Sequence, residues 1–442
     1  MSTKDSFRAP KGTADLLGSA AAGWDALQQT ARRVFARYGY APVYTPVFEH
    51  TEVFARGIGE ATDVVGKEMY TFTDRAGRSL TLRPENTAGV VRAAIQAHLT
   101  DNGQTAKLFY AGPMFRYERP QKGRQRQFYQ LGAEALGFQA PAADAEMVLM
   151  LRDFYLTLGL TETRGSASLA ASPDNGNLVL LLNTMGCAQC RPAWRDAMAG
   201  YIRAHADGLC QECQRRADTN PLRALDCKNP ACVDIMAGAP KLADYLCDDC
   251  REHFAQVRAL LDAAGVVYQL DPTLVRGLDY YTRTVFEFQV ADGLGSQNAV
   301  GGGGRYDGLF EQLGGSPTPG IGFAIGAERT LLALEAAGII LSDTNRTAVY
   351  VACADADLRD TAFLLTTALR AAGVSVVCDL QDKSLKSQFK AADKAGAGHV
   401  VIIGADEDAR GGVTLRDMQT KTELFVPRDE LLAALTAGDS EN

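Results

Sequence analysis

Residues Phe115–Gly137, FRYERPQKGRQRQFYQLGAEALG, set a dense run of cations beside strand-like apolar sequence. On either side of its centre, Leu108–Arg116 and Phe128–Leu136 are apolar and aromatic in the manner of strands. Between them, Tyr117–Gln127 sets Arg119, Lys122, Arg124 and Arg126 against Glu118 alone. The pattern predicts a β-hairpin with Arg116 on a rigid strand and a mobile cationic loop beyond it. Such a hairpin suits one phosphate gripped by Arg116 and a polyanion gripped by the loop. Charge alone describes a solvated hairpin with a basic tip equally well.

Outward from this hairpin, the totals set bounds. At 442 residues the chain is too long for one ordinary core, so two or three domains are expected. A hydrophobic content of 46% with 22% charged residues is that of a soluble globular protein. No apolar run is long enough to span a bilayer, and the opening MSTKDSFRAPKGTADLLG has no signal-peptide core, so a cytoplasmic protein with no membrane partner is expected. A net charge of −8 speaks against indiscriminate nucleic-acid binding, yet phosphate contacts need only a local basic surface.

Trp24–Tyr38 carries apolar residues at helical spacing, and Gly39 is placed to end that helix. The run YAPVYTPVFEHTEVF that follows is extended in composition, and Pro42 and Pro46 restrict it to an edge or interface strand. Tyr70–Thr73 and Ser79–Leu82 bracket a DRAG turn as a hairpin. In the next word, LRPENTAGVV, a helix starts near Glu85. An acidic residue there is favourable on dipole grounds alone, and it could equally meet a ligand ammonium together with Thr87.

Pro141–Leu158 reads as a helix and Leu178–Gly186 as a buried strand, with the small and polar Ser166–Asn177 as a longer loop between them. Then the composition changes. Cys187/Cys190, Cys210/Cys213, Cys227/Cys232 and Cys247/Cys250 form four closely spaced pairs in a helical context. In a cytoplasmic chain such pairs argue for thiols or metal ligands over disulfides, and eight thiolates could make two four-thiolate zinc sites. A helical module of reduced thiols without metal is the other reading. Further on come LVRGLDYYTRTVFEF (Leu274–Phe288), GGGGRYDGL (Gly301–Leu309) and GIGFAIGAERTLLALE (Gly320–Glu335). Four glycines mark a loop or let backbone approach a ligand. Arg329 sits on the helix that ends the last word, where it could be an ordinary helical arginine. From about Arg346, strands and helices alternate as in a small parallel-rich α/β domain, with Lys383, Lys386, Lys390 and Lys394 spaced along one helix face.

Taken together, these words resemble the class II aminoacyl-tRNA synthetases in the form found in the histidyl-tRNA synthetase family. Phe115–Gly137 resembles motif 2, the helix and strand around Pro46 motif 1, and Gly320–Glu335 motif 3. RGLDYY and GGGGRYDGL resemble that family's own signature peptides, and NPLRALDCKNP and REHF its insertion, which contacts the tRNA acceptor stem. The resemblance implies an α+β catalytic domain on an antiparallel sheet (1–186 and 268–340), a helical Cys-rich insertion (187–267) and a C-terminal α/β anticodon-binding domain (346–437). It also implies a homodimer joined at motif 1, with tRNA(His), L-histidine and ATP as substrates and Mg²⁺ on the ATP phosphates.

Carried over residue by residue, the resemblance gives Arg116 and Arg276 the α-phosphate, Arg329 the γ-phosphate and Phe128 the adenine. Glu85, Thr87 and Gln130 would meet the histidine amino group. Glu134 and Tyr281, with Tyr306 nearby, would read the imidazole. Arg119, Lys122 and Arg124 would reach the tRNA acceptor end. Asn86 departs from the glycine common at its position and is expected to be tolerated. The five histidines all lie outside these words, so no acid–base role for a protein histidine is expected. The rival reading is a synthetase-like regulatory subunit without catalysis, which the intact arginines and the C-terminal domain argue against.

Overall fold

The computed structural model describes residues 7–59, 62, 64–163, 177–291, 294, 298–341 and 348–436. The loop expected at Ser166–Asn177 lies outside them except for Asn177. Two compact units divide the chain, Met1–Leu341 and Ser342–Asn442.

In the first unit, α1 (Ser19–Arg37) buries Leu27, Ala31, Val34 and Phe35 at helical spacing, and Gly39, at φ +81°, lies in the left-handed region just past its end. The extended run expected after it divides. β1 (Ala41–Pro42) and β2 (Phe48–His50) belong to different sheets, and the chain then turns into α2 (Thr51–Ile58). Pro42 and Pro46 have no N–H to give to a ladder, which prevents one continuous strand. Phe54, Gly57 and Ile58 are buried on one side of α2, which favours helix over strand there.

β3 (Tyr70–Thr73) and β4 (Ser79–Leu82) form the expected hairpin, and β2 pairs with β4 to complete a three-stranded antiparallel sheet. α3 (Thr87–Gln96) follows. β5 (Ala106–Phe115) and β6 (Gln127–Leu136) form the expected hairpin around the cationic loop, paired antiparallel from Ala106↔Leu136 to Phe115↔Gln127. Next come α4 (Pro141–Thr157), β7 (Leu178–Thr184), and four helices of the Cys-rich stretch: α5 (Arg191–Ala204), α6 (Gln211–Thr219), α7 (Pro230–Met236) and α8 (Asp248–Ala263). β8 (Gln269–Leu270), β9 (Thr282–Val290), β10 (Ala299–Arg305), α9 (Leu309–Gln312), β11 (Gly320–Gly326) and α10 (Ala327–Ala336) close the unit.

Eight of these strands make one sheet in the order β1-β5-β6-β11-β10-β9-β7-β8, antiparallel except at its two edges. One face carries the main core. Leu131, Ala133 and Ala135 of β6, Ile321, Phe323 and Ile325 of β11, and Phe286, Phe288 and Val290 of β9 alternate toward α1, α4, α8 and α10. The strand period of two therefore sends the intervening residues, Phe128, Gln130 and Glu134 among them, to the opposite face. The glycine run is not a loop: it is β10, a central strand between β9 and β11.

The second unit is a five-stranded sheet in the order β13-β12-β14-β15-β16, built from β12 (Val349–Cys353), β13 (Val376–Cys378), β14 (His399–Ile403), β15 (Gly412–Asp417) and β16 (Glu423–Pro427). The first three strands run parallel and the last two antiparallel, with α11 (Arg359–Ala371), α12 (Leu385–Lys394), α13 (Ala405–Ala409) and α14 (Leu431–Thr436) between and after them. Lys386, Lys390 and Lys394 are exposed along α12, whereas Lys383 precedes the helix, its N–H donating to Asp379. Among the described residues no helix is long and apolar enough to cross a membrane.

Candidate active site

On the face opposite the main core, the first unit holds a cavity of about 480 Å³, within the range of small-molecule sites. Glu85, Thr87, Arg116, Arg124, Phe128 and Gln130 line one side, and Arg276, Tyr281 and Arg329 reach it from later in the chain.

The sheet's glycines make room for these side chains. A Cβ on Gly302 would stand 2.9 Å from Arg276 Nη1 and 2.5 Å from the Phe286 carbonyl oxygen, and one on Gly322 would collide with the Glu134 carboxylate. Glycine is the residue that lets two groups lie flat against a strand at that distance.

Arginines dominate one part of the cavity. Arg116 donates from Nε to the Pro84 carbonyl at 2.9 Å and lies over the Phe128 ring, 5.3 Å from its centroid. Arg276 pairs with Glu287; burial works against its charge, and Glu287 together with Tyr281 and Tyr280 outweighs it, holding the guanidinium above its ordinary pKa. Arg329 donates to the carbonyls of Gly123 and Ala299. Burial first, then the like charges of Arg124 and Arg116, push Arg329 below the usual arginine value. Such crowding of cations is relieved by a polyanion.

Two loop cations behave differently from the third. Arg119 and Lys122 are exposed and do not line the cavity, but Arg124 turns inward onto Glu118 at 2.7 Å. Arg126 stacks on Tyr117 at 4.2 Å, and the loop is pinned by a Gln121↔Arg124 bridge. The hairpin tip thus presents fewer solvated cations than its sequence offers.

A carboxylate cluster forms the other part. Glu85 caps the start of α3, accepting the Thr87 and Ala88 N–H groups at 2.7 and 3.0 Å, and it also lines the cavity. Burial raises its pKa, against those hydrogen bonds and the Arg116 charge. Glu134 is wholly buried and does not line the cavity. Its carboxylate accepts the Thr87 hydroxyl at 2.7 Å and the Tyr306 hydroxyl, one layer behind the lining Thr87, Gln130 and Tyr281. Burial pushes Glu134 up to about 8 against those two hydroxyls, and the Glu85 charge adds to the rise. Gln130 Oε1 is buried without a hydrogen-bond partner, an acceptor left for a ligand donor. Asn86, at φ −122°, precedes α3 outside the left-handed region and accepts the Thr45 hydroxyl at 2.6 Å, while its Nδ2 is buried without a hydrogen-bond partner.

Sequence reasoning missed the supports. Arg305 of the GGGGRYDGL word is fully buried, donating from Nε to both oxygens of Asp144 at 3.2 Å, while His253 of α8 bonds the same carboxylate at 3.1 Å. Arg223 donates to the Gly277 carbonyl and to Asp279 Oδ1, both at 2.8 Å, and Asn220 reaches the same aspartate. Arg191 donates to the Tyr281 carbonyl. The Cys-rich stretch therefore braces the RGLDYY peptide directly.

Comparison with known proteins agrees with this geometry. The family model described as histidyl-tRNA synthetase matches residues 12–173 and 181–330, and the model described as anticodon binding domain matches 348–437. The chain is similar to the histidine–tRNA ligase of Halothermothrix orenii (47% identical, covering 95% of this chain and 96% of that one) and to that of Pelotomaculum thermopropionicum (49%, covering 96% of each). Among solved structures it is similar to apo S. aureus histidyl-tRNA synthetase, with TM-score 0.79, 33% identity, and 97% of this chain and 99% of that one covered. With a class II sheet, its two signature peptides folded onto one cavity and relatives matching almost end to end, the chain belongs to the histidyl-tRNA synthetase family.

Proposed function

We propose that the cavity activates L-histidine with ATP and passes the histidyl group to the 3′ end of tRNA(His). In the first step a histidine carboxylate oxygen attacks the α-phosphorus, the bond to the β-phosphate oxygen breaks, and diphosphate leaves. In the second, a hydroxyl of the tRNA's terminal ribose attacks the acyl carbon and AMP leaves.

Two anions meet in the first step, so neutralising charge is the main requirement. Arg116 and Arg276 take the α-phosphate and Arg329 the γ-phosphate. Phe128, under the Arg116 guanidinium, stacks on adenine. Glu85 and Thr87 take the ammonium with Gln130, and the imidazole enters beside Tyr281 to reach Glu134 and Tyr306, which stand one layer behind the present lining. Such a buried polar site rejects analogues that leave its groups unpaired. Arg119 and Lys122 meet the acceptor end of the tRNA, with Arg124 nearer the phosphates.

Magnesium arrives with ATP and shields the phosphate charge. Glu118 and Glu287, on the cavity wall among the arginines, are oxygen donors of the kind that ion takes. The protein works in the cytoplasm as a homodimer. Supporting the dimer, Tyr44, Val47, Phe48 and Phe72 are exposed around the motif 1 strand, and Phe48 and Phe72 lie against each other with centroids 6.4 Å apart.

The observation that carries the proposal is the convergence of Arg116, Arg276 and Arg329, from three distant words, on one cavity with the Glu85–Thr87–Gln130 cluster. The test is ATP–pyrophosphate exchange with each amino acid in turn, using wild type and Arg276→Ala. Exchange that needs histidine and falls by about 10²–10³ in the variant is expected. Folded protein with no exchange for any amino acid would instead indicate a regulatory binding subunit.

A further inference from the structure

The eight clustered cysteines take no part in the activation chemistry, yet they are not scattered. The sulfurs of Cys187, Cys190, Cys247 and Cys250 all lie within 4.8 Å of one another, and so do those of Cys210, Cys213, Cys227 and Cys232. We propose that each group holds one zinc ion as a tetrathiolate, and that the two ions fix the walls of the active site contributed by the Cys-rich stretch.

The distances carry the first half of the proposal. Cys187 Sγ is 3.6 Å from Cys190 Sγ and 3.8 Å from Cys247 Sγ, and Cys210 Sγ is 3.9 Å from Cys227 Sγ. With zinc–sulfur bonds of about 2.3 Å, the edge of a regular tetrahedron of sulfurs is ~3.8 Å. A disulfide would bring a pair to about 2.05 Å, and all eight are free thiols. Four sulfurs converging this closely would be mutually repulsive as thiolates; a tetrahedral cation is what such a set fits, and an all-sulfur tetrahedron selects zinc or iron.

The local structure agrees. Cys190, Cys210 and Cys247 sit at the N-caps of α5, α6 and α8, and Cys213, Cys232 and Cys250 lie in the first turns of α6, α7 and α8. The Cys247 N–H donates to Cys190 Sγ and the Cys210 N–H to Cys232 Sγ, each at 3.2 Å, orienting one sulfur in each set. Each set also joins remote segments. The first ties the start of the Cys-rich stretch to the start of α8, and the second ties α6 to α7 across the NPLR word.

The second half follows from what the ligands adjoin. Arg191, next to Cys190, donates to the carbonyl of Tyr281. Asp226 and Lys228, on either side of Cys227, line the cavity, and the segment leading to them carries Asn220 and Arg223, which hold Asp279 and Gly277. Fixing Cys190 and Cys227 therefore fixes both braces of the RGLDYY peptide. Zinc binding releases one proton from each thiol that enters as thiolate, and no electron moves.

The full-length protein, purified without chelator, is analysed for metals by mass spectrometry. About two zinc ions per chain are expected, falling to about one in Cys213→Ser and in Cys250→Ser. Less than about 0.2 zinc per chain in wild type, or iron in its place with a visible chromophore, overturns the zinc assignment, and this reading does not depend on the variants folding. Hydrogen exchange then tests the bracing. In wild type treated with a mercurial to release zinc, residues 274–281 are expected to exchange at least tenfold faster while the second unit is unchanged. Unchanged exchange at 274–281 after complete zinc release overturns the bracing role. Both readouts are independent of aminoacylation, so they stand or fall apart from the proposed activity.

Discussion

Glu134→Gln tests the histidine site through its protons. In the empty site burial holds the Glu134 carboxyl at about 8, so at pH 7.5 roughly three-quarters of the molecules carry a proton there. An imidazole N–H arriving as a donor favours the carboxylate, so binding lowers the pKa and the proton leaves. The sign follows: the empty site holds more protons than the occupied one below pH 8, and histidine affinity must rise with pH until about 8 and then level off. Between pH 7 and 8.5 the expected rise is roughly eightfold, with about 0.7 proton released per histidine bound at pH 7.5. Titration calorimetry in two buffers of different ionisation enthalpy reads the proton count directly. In Glu134→Gln the release should vanish and the affinity become flat across this range. Losing a charged acceptor should also weaken binding by about 1.5–3 kcal/mol, roughly 10- to 100-fold. Wild type that binds histidine with no proton released, and with the same pH profile as the variant, would refute the reasoning. Glu134 would then remain neutral and act only as a brace for Thr87 and Tyr306.

Gly302→Ala places a Cβ against the Phe286 carbonyl and Arg276, and should displace that guanidinium and lower pyrophosphate exchange at least 10²-fold, with a stability loss of about 1–3 kcal/mol by thermal unfolding. Asp144→Ala leaves the buried Arg305 without its main partner; a loss of about 3–5 kcal/mol is expected, seen as a fall of roughly 4–7 °C in the first unit's melting temperature. Arg329→Ala should raise KM for ATP at least tenfold and leave the affinity for histidine alone within about twofold, as measured by exchange kinetics and calorimetry. Lys122→Ala with Arg119→Ala should leave pyrophosphate exchange unchanged, weaken tRNA transfer, and reduce the slope of log affinity against log salt by about one per charge lost.

The hairpin, the second unit's alternation and the gathering of Arg116, Arg276 and Arg329 were all legible in the sequence. Strand period and local wording carry that information. What was not legible depends on contacts far apart in the chain. Nothing near Arg305 says that its guanidinium is sealed onto Asp144, and nothing near Cys187 says that its partners are Cys247 and Cys250 rather than the nearer Cys210 and Cys213. Spacing identifies pairs of cysteines but cannot choose which pairs meet. The stretch after His50 was misjudged for a different reason. Its β-branched, proline-marked composition reads as extended, and tertiary burial of Phe54 and Ile58 outweighed that local preference. Glu85 shows a third kind of ambiguity. Capping α3 and lining the cavity use the same carboxylate in the same position, so no sequence argument could have separated them.

The glycines beneath Arg276, Tyr281 and Glu134 also bear on how this cavity can change. A residue without a side chain offers nothing to trim, so substitution on the floor can only remove space. A larger amino acid can be admitted only by cutting back the walls, at Thr87, Gln130 or Tyr281, and in the roles proposed above each of those is a polar group that histidine would lose. The floor fixes the depth of the pocket and leaves the walls to decide between histidine and everything else. Variation toward a new substrate would therefore pass first through enzymes that bind histidine less well.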